Sequence, residues 1–231
     1  MKIGFYGDSF CKDKFHFKYD TYISLLTKHY NASVTHLGYG GSSHWDLIIN
    51  QFQEDEHNLP DVCIFVWTSH DRFYNKTVRG IRSFESINYS NTRWKIIPTY
   101  SYGLHKDTWL AAEQYYKHLF DDEKARLEYK SSLHYFDNVI LQAHKNTKFI
   151  HLWSFGDCIK VYNEAKDTWA PDNLTYMHTW RNGVEIRPSL MSTATRGELD
   201  YSAPNHLPGR ENNILVFEKI KDAIEEYKWN E

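Results

Sequence analysis

Residues 61–71 read Asp-Val-Cys-Ile-Phe-Val-Trp-Thr-Ser-His-Asp, and this stretch decides the fold. From Val62 to Trp67 every residue is apolar, and most are β-branched or aromatic. Such a run is too short for a core helix and shows no polar alternation. It predicts a strand buried on both faces, the pattern of a parallel sheet covered by helices. The polar Thr68-Ser69-His70-Asp71 then falls at the carboxyl end of that strand, where open α/β sheets place their ligands.

The segments on either side agree. Lys2 to Tyr6 is a second apolar run, ending in Gly7-Asp8-Ser9. Between 19 and 30, Tyr22, Ile23, Leu25, Leu26 and Tyr30 recur at helical spacing. Ala32 to Leu37 predicts a strand that ends at Gly38-Tyr39-Gly40-Gly41, and Trp45 to Phe52 a short helix capped by Ser42 or Ser43. Lys148 to Trp153 predicts a fourth strand, and Asn212 to Tyr227 an amphipathic closing helix. Trp109 to about His144 predicts one or two helices. Their apolar stripes are Leu110, Tyr115, Tyr116, Leu119 and Phe120, then Leu127, Leu133, Phe136, Val139 and Ile140. Residues 73–105 and 156–200 show no clean period. With no repeat and no linker, the chain reads as one α/β domain over 1–231, with insertions around 73–147 and 156–200.

Composition removes several classes of function. Lys and Arg number 27 against 30 Asp and Glu, a formal net charge of −3, so nothing draws the chain as a whole to nucleic acid or to an acidic membrane. No apolar stretch approaches the roughly 20 residues that span a bilayer. The amino terminus runs straight into a strand and lacks the apolar segment of a signal peptide. A soluble cytoplasmic protein is expected; association with a virion and a homo-oligomeric state stay open. Cys11, Cys63 and Cys158 are odd in number and widely spaced, which argues against a disulfide framework or a zinc cluster, and Cys63 reads as a buried structural thiol. The 13 histidines form no ligand-spaced pair: His134 and His144, His44 and His70, and His29 and His36 all miss it. No metal and no cofactor is expected. Aromatic residues are in surplus, 16% of the chain, and rings of this kind fill cores or line sugar sites.

Four short segments carry the chemistry. Gly7-Asp8-Ser9 puts a serine just past the first strand, where it is a helix cap or a nucleophile. Gly38-Tyr39-Gly40-Gly41-Ser42-Ser43 is a glycine-rich turn that exposes main-chain N–H groups able to hold a phosphate or an oxyanion. Its spacing is neither a dinucleotide fingerprint nor a Walker loop, which counts against a nucleotide- or phosphate-binding module. Thr68-Ser69-His70-Asp71 ends the central strand. Pro204-Asn205-His206-Leu207-Pro208 places a histidine just before the last helix.

In this order the segments resemble the blocks of the SGNH hydrolases, the GDSL-type esterases and lipases. IGFYGDSF resembles the first block, HLGYGGSS the second, VWTSHDR the third and NHLPGRENN the last. The likeness covers residues 1–72 and 200–227. It implies a three-layer α/β/α flavodoxin-like fold with a mainly parallel sheet of about five strands. It also implies Ser9 as nucleophile, His206 as general base, and an oxyanion hole made by Ser9, Gly41 and His70. Asp8, Asp71 and Asn205 are expected to line the site. The chain departs from the pattern in three places. Thr68 stands for a glycine and His70 for an asparagine, though a neutral imidazole still donates one hydrogen bond. Ala203 stands where the family carries an aspartate three residues before the histidine, which leaves Asp200 as the nearest upstream carboxylate. Otherwise a Ser-His dyad remains, or a main-chain carbonyl holds the imidazole.

The function implied is ester hydrolysis through an acyl-enzyme. The expected substrate is a small-molecule or glycan ester, an O-acetylated carbohydrate in particular, because Trp94, Tyr100, Tyr102, Trp109, Trp169, Tyr176 and Trp180 enrich the insertions. The alternative is a catalytically impaired binding or structural protein on the same fold, in a virion or an assembly, which Ala203 and His70 favour.

Overall fold

The structure is a computed structural model. It describes residues 1–13, 17–70, 72, 74, 81–85, 94–98, 110–111, 114–116, 118–154, 160–163, 168–171, 178–187, 189–190 and 202–226, with the main chain alone for 54, 81–85, 94–98, 122, 160–163 and 168–171. Nine strands lie among these residues: β1 (Lys2–Gly7), β2 (Ser33–His36), β3 (Val62–Trp67), β4 (Ile81–Glu85), β5 (Trp94–Pro98), β6 (Lys148–Trp153), β7 (Lys160–Asn163), β8 (Thr168–Pro171) and β9 (Val184–Glu185).

Five of them form one parallel sheet in the order β2-β1-β3-β6-β9. From β1 the chain moves outward to the edge strand β2, then returns past β1 to β3 and continues in the opposite direction. Counted within the sheet this is the flavodoxin-like order, and the reversal opens a crevice beyond the carboxyl ends of β1 and β3. The fold expected from the segment order is therefore the one observed. The central run pairs in register on both sides, Gly7 with Val66 and Trp67 with Trp153.

Alternation along β3 divides the core in two. Val62, Ile64 and Val66 face one side with Ile3, Phe5, Ile150 and Leu152, under the first helix (Tyr22–His29) and the closing helix (Gly209–Glu226). Cys63, Phe65 and Trp67 face the other with Tyr6, Phe149 and Trp153. Helical segments running from His44 to Asp55 and from Asp122 to Ala143 cover that side. All six β3 residues are buried, so burial on both faces explains why the run lacks a polar partner at every second position.

The first helix begins where Thr21 accepts the Ser24 N–H. It ends at Tyr30, and Asn31 follows in the left-handed region at φ 45°. It is shorter than the expected 19–30 because Asp20 and Thr21 precede the first hydrogen-bonded turn. The second helix is longer than expected and passes through a π-helical stretch, Leu47–Phe52. Ser43, not Ser42, caps it by accepting the Asp46 N–H at 3.1 Å. The closing helix starts a turn before Asn212 because Gly209, at φ 73°, supplies its first residue. There Asn212 and Asn213 donate side-chain N–H groups to the carbonyls of Pro208 and Gly209.

Other expectations need correcting. Parts of residues 73–105 and 156–200 are regular: β4 pairs with β5 and β7 with β8 as antiparallel ribbons, and β9 adds the fifth parallel strand. Leu110, Leu119, Leu127 and Val139 do not belong to core stripes. Leu119 is 74% exposed and Leu127 65% exposed, while Leu133, Phe136 and Ile140 alone carry the second stripe inward. Among the described residues no helix is long and apolar enough to cross a membrane, and no group of three or more His, Cys, Asp or Glu gathers to hold a metal ion.

Gly7 is where the sheet constrains the sequence most. A Cβ there would lie 2.4 Å from the Val66 carbonyl oxygen and 3.0 Å from Cys11 Sγ. Both obstacles are buried in the sheet and its first loop, so neither can yield cheaply. Gly7→Ala is expected to destabilise the fold by about 3 kcal/mol or more. Urea denaturation measures this, and an unchanged midpoint contradicts the packing described.

Candidate active site

The loop after β1 is short and stiff. Asp8 Oδ1 accepts the Phe10 N–H at 3.0 Å and caps a single 3-10 turn, Ser9–Cys11, so Ser9 opens that turn directly beyond the strand. The Cys11 thiol beside it is no rival nucleophile, because burial and then the Asp8 charge push its pKa up and keep it protonated. Cys63 is also buried and its thiol is pushed up mainly by burial, as a structural residue requires. Cys158 lies outside the described residues.

The turn after β2 is fastened onto this loop. Tyr39 N–H donates to the Gly7 carbonyl at 3.1 Å, and Ser42 donates both its N–H and its hydroxyl to the Tyr39 carbonyl. Gly41 adopts φ 83°, which a side chain rarely accepts. The wholly buried Gln51 accepts the Gly7 N–H at 2.8 Å and donates to the Gly7 carbonyl at 3.0 Å. The same amide nitrogen donates to Ser42 Oγ at 2.9 Å. Two main-chain donors are left over. Among the described residues, neither the Ser9 N–H nor the Gly41 N–H has an acceptor. Both belong to well-shielded residues of adjacent loops, and shielded N–H groups without partners are rare in folded proteins.

The third loop brings His70, 8% exposed, and Arg72, 4% exposed. Tyr129 donates its hydroxyl to the Thr68 carbonyl at 2.6 Å and holds the start of this loop. Arg72 Nη1 lies 3.1 Å from Asp8 Oδ2 and donates to the Ser42 carbonyl at 2.8 Å. His44 sits beside His70, with its ring edge-on to Tyr129 at 4.7 Å. Burial first, and His70 second, lower the His44 pKa to about 3, and neither ring nitrogen has a hydrogen-bond partner among the described residues.

The fourth loop carries His206 in the left-handed region at φ 59°, with its N–H donated to the Ala203 carbonyl. The ring stands edge-on against Phe10, the residue after Ser9, with centroids 5.8 Å apart. Asn205 holds the loop from behind. It donates to Asn213 Oδ1 at 2.8 Å, the atom that also accepts the Tyr22 N–H, and it accepts the Leu207 N–H. Tyr19 adds its hydroxyl to the Leu207 carbonyl.

Ser9, Gly41 and His70 thus stand on three loops at one edge of the sheet, and His206 reaches the first of these through Phe10. Ser9 Oγ and the His206 ring share no hydrogen bond in this arrangement. Asp8 and Asn205, expected to line the site, are wholly buried and hold the loops instead. Asp71 and Asp200 lie outside the described residues. Sequence reading gave no role to Arg72 or Gln51 and weighed His44 only as a metal ligand. Arg72 stood inside the quoted VWTSHDR, and Gln51 was a polar residue on an otherwise apolar helix face with Leu47, Ile48 and Phe52.

No protein-family model matches the chain, and no curated protein sequence matches it. Among solved structures it is similar to Axe2, an acetylxylan esterase from Geobacillus stearothermophilus, at 13% identity and a TM-score of 0.46, over 100% of this chain and 96% of that one. A variant of the same acetyl xylan esterase aligns at 14% identity and a TM-score of 0.47, over 97% and 94% of the two chains. The arrangement described above stands on the chain's own residues.

Proposed function

We propose that the chain is a serine hydrolase of the SGNH type that cleaves small esters, with O-acetyl groups on carbohydrate as its substrate class. The observation that carries this reading is the pair of N–H groups without acceptors, one on Ser9 and one on Gly41. In acyl transfer the carbonyl oxygen gains a full charge in the tetrahedral intermediate, and preorganised donors stabilise it more than the ground state.

The steps follow from the residues. Ser9 Oγ attacks the ester carbonyl carbon while His206 takes its proton. The oxyanion accepts hydrogen bonds from the Ser9 and Gly41 N–H groups and from a ring N–H of His70. Collapse expels the alcohol, protonated by His206, and leaves an acyl-serine. Water, deprotonated by His206, attacks the acyl carbon, and the acid departs as the proton returns to Ser9. Asp200 is the carboxylate proposed to orient His206; without it the site works as a dyad, with a lower but real rate. Of the aromatic residues that suggest a sugar, Trp180 is already engaged, stacked on His151 at 3.5 Å.

A binding protein on this fold is the second reading, favoured by the missing Ser9–His206 hydrogen bond. Incubation with p-nitrophenyl acetate and a serine-directed fluorophosphonate separates the two. Labelling and turnover in the wild type, both lost in Ser9→Ala, are expected. A folded wild type that neither labels nor turns over overturns the hydrolase reading in favour of binding.

A further inference from the structure

We propose that Arg72 is a positioning residue of this site, setting the spacing between the nucleophile loop and the glycine turn; the role rests on the serine-hydrolase reading above. Among the described residues of the third loop, its guanidinium is the group that reaches both of the others. Nη1 stands 3.1 Å from Asp8 Oδ2 and donates to the Ser42 carbonyl at 2.8 Å, with both charged side chains almost completely buried. The other Asp8 oxygen, Oδ1, caps the Phe10 N–H and so fixes the turn that begins with Ser9. Ser42 is joined directly to Gly41. Moving the guanidinium therefore moves the two residues whose N–H groups lack acceptors, although Arg72 forms no part of the hole itself.

Stability alone does not account for an arginine here. A buried ion pair is weak evidence of a stabilising role, since apolar residues of similar volume often replace such pairs without loss. What apolar residues do not supply is a single nitrogen that pairs with the carboxylate of one loop and donates to the carbonyl of the other. Lysine keeps the charge, but on a flexible unbranched stem in place of a rigid planar group, so it fixes the distance between the two oxygens less firmly. Gln51 acts in parallel on Gly7 and Ser42 Oγ. The two loops are thus braced by a charged group and by a neutral one.

The test compares fluorophosphonate labelling of the wild type, Arg72→Lys and the double variant Asp8→Asn/Arg72→Gln. The double variant leaves no lone buried charge, and its new amide oxygen at position 8 still accepts the Phe10 N–H, so it carries the comparison where the single variant folds poorly. The saturating labelling rate and the half-saturating probe concentration are measured separately, with cooperative melting to verify the fold. In both variants the rate is expected to fall about tenfold or more, with the half-saturating concentration within about threefold of wild type and the pH profile unmoved. A purely structural role lowers the melting temperature and leaves the rate of the folded protein alone. Either variant, folded and labelling within about twofold of the wild-type rate, overturns the role of Arg72 and leaves the hydrolase reading intact. A wild type that does not label overturns both.

Discussion

On the serine-hydrolase reading proposed above, turnover of an ester is expected to fall about 10⁴-fold or more in both His206→Ala and His206→Gly, because neither leaves a base to take the Ser9 proton. The two variants are expected to differ from each other in stability. His206 is held at φ 59°, where a residue with a Cβ is disfavoured by roughly 1–2 kcal/mol, and glycine is not. Glycine loses more chain entropy on folding, by roughly 0.5–1 kcal/mol. Both variants lack the imidazole, so its contact with Phe10 cancels in the comparison. His206→Gly should therefore be more stable than His206→Ala by about 1 kcal/mol, read from urea midpoints at constant slope. Wild-type turnover in either variant removes His206 from the mechanism, and equal midpoints remove the strain.

Acid is expected to destabilise this protein well before its carboxylates titrate. Burial lowers His151 and His44 to about 3. For His151 the hydrogen bonds also fix the tautomer. Nδ1 accepts the Trp67 indole N–H at 3.1 Å and Nε2 donates to the Asn182 carbonyl at 3.0 Å, so a second proton has no place. Unfolded histidine takes up a proton near pH ~6.5. Above that value neither state is protonated and the stability is complete. As the pH falls, the unfolded chain binds protons that the folded chain refuses, and stability is lost steadily towards pH 3. From pH 7 to pH 5 each histidine removes about 2 kcal/mol, and the two together about 4 kcal/mol. Replacement by phenylalanine at 151 should remove about half of that pH dependence while weakening the fold at pH 7. An undiminished slope shows that His151 titrates normally. Asp137 acts in a separate window. Burial raises its pKa, but hydrogen bonds from His178, Arg181 and Asn182 outweigh this and bring it to about 2, so its contribution is lost only in stronger acid.

The sheet was legible in the sequence because buried parallel strands leave an unambiguous mark. Val62 to Trp67 has no polar residue, and the glycine-bearing loops after β1 and β2 follow their strands immediately. The ribbons β4–β5 and β7–β8 were not legible, since short antiparallel strands mix Arg82 or Lys160 with apolar residues in no sustained alternation. Leu127 and Val139 misled because hydrophobic residues on a helix mark a core only when a partner element covers them. Within the proposed site, the residues given chemical roles stood out by type: a serine, a glycine and two histidines in loops. Asp8 and Asn205 were the same types used for bracing, and nothing in a linear sequence separates a carboxylate that faces substrate from one that pairs with an arginine beyond the next strands.

Gln51 binds Gly7 through both of its main-chain groups and touches Ser42 as well, while Gly38 lies so close that a Cβ on it would come within 2.5 Å of the Gly7 carbonyl oxygen. These four positions are therefore not free to drift one at a time. A lineage that lost the glutamine would need a new partner for Gly7 in the same step, and one that enlarged Gly38 would have to reroute the first loop. Positions 7, 38, 42 and 51 should change together across descendants of this chain or stay as they are, an inherited unit assembled from three separate stretches of sequence.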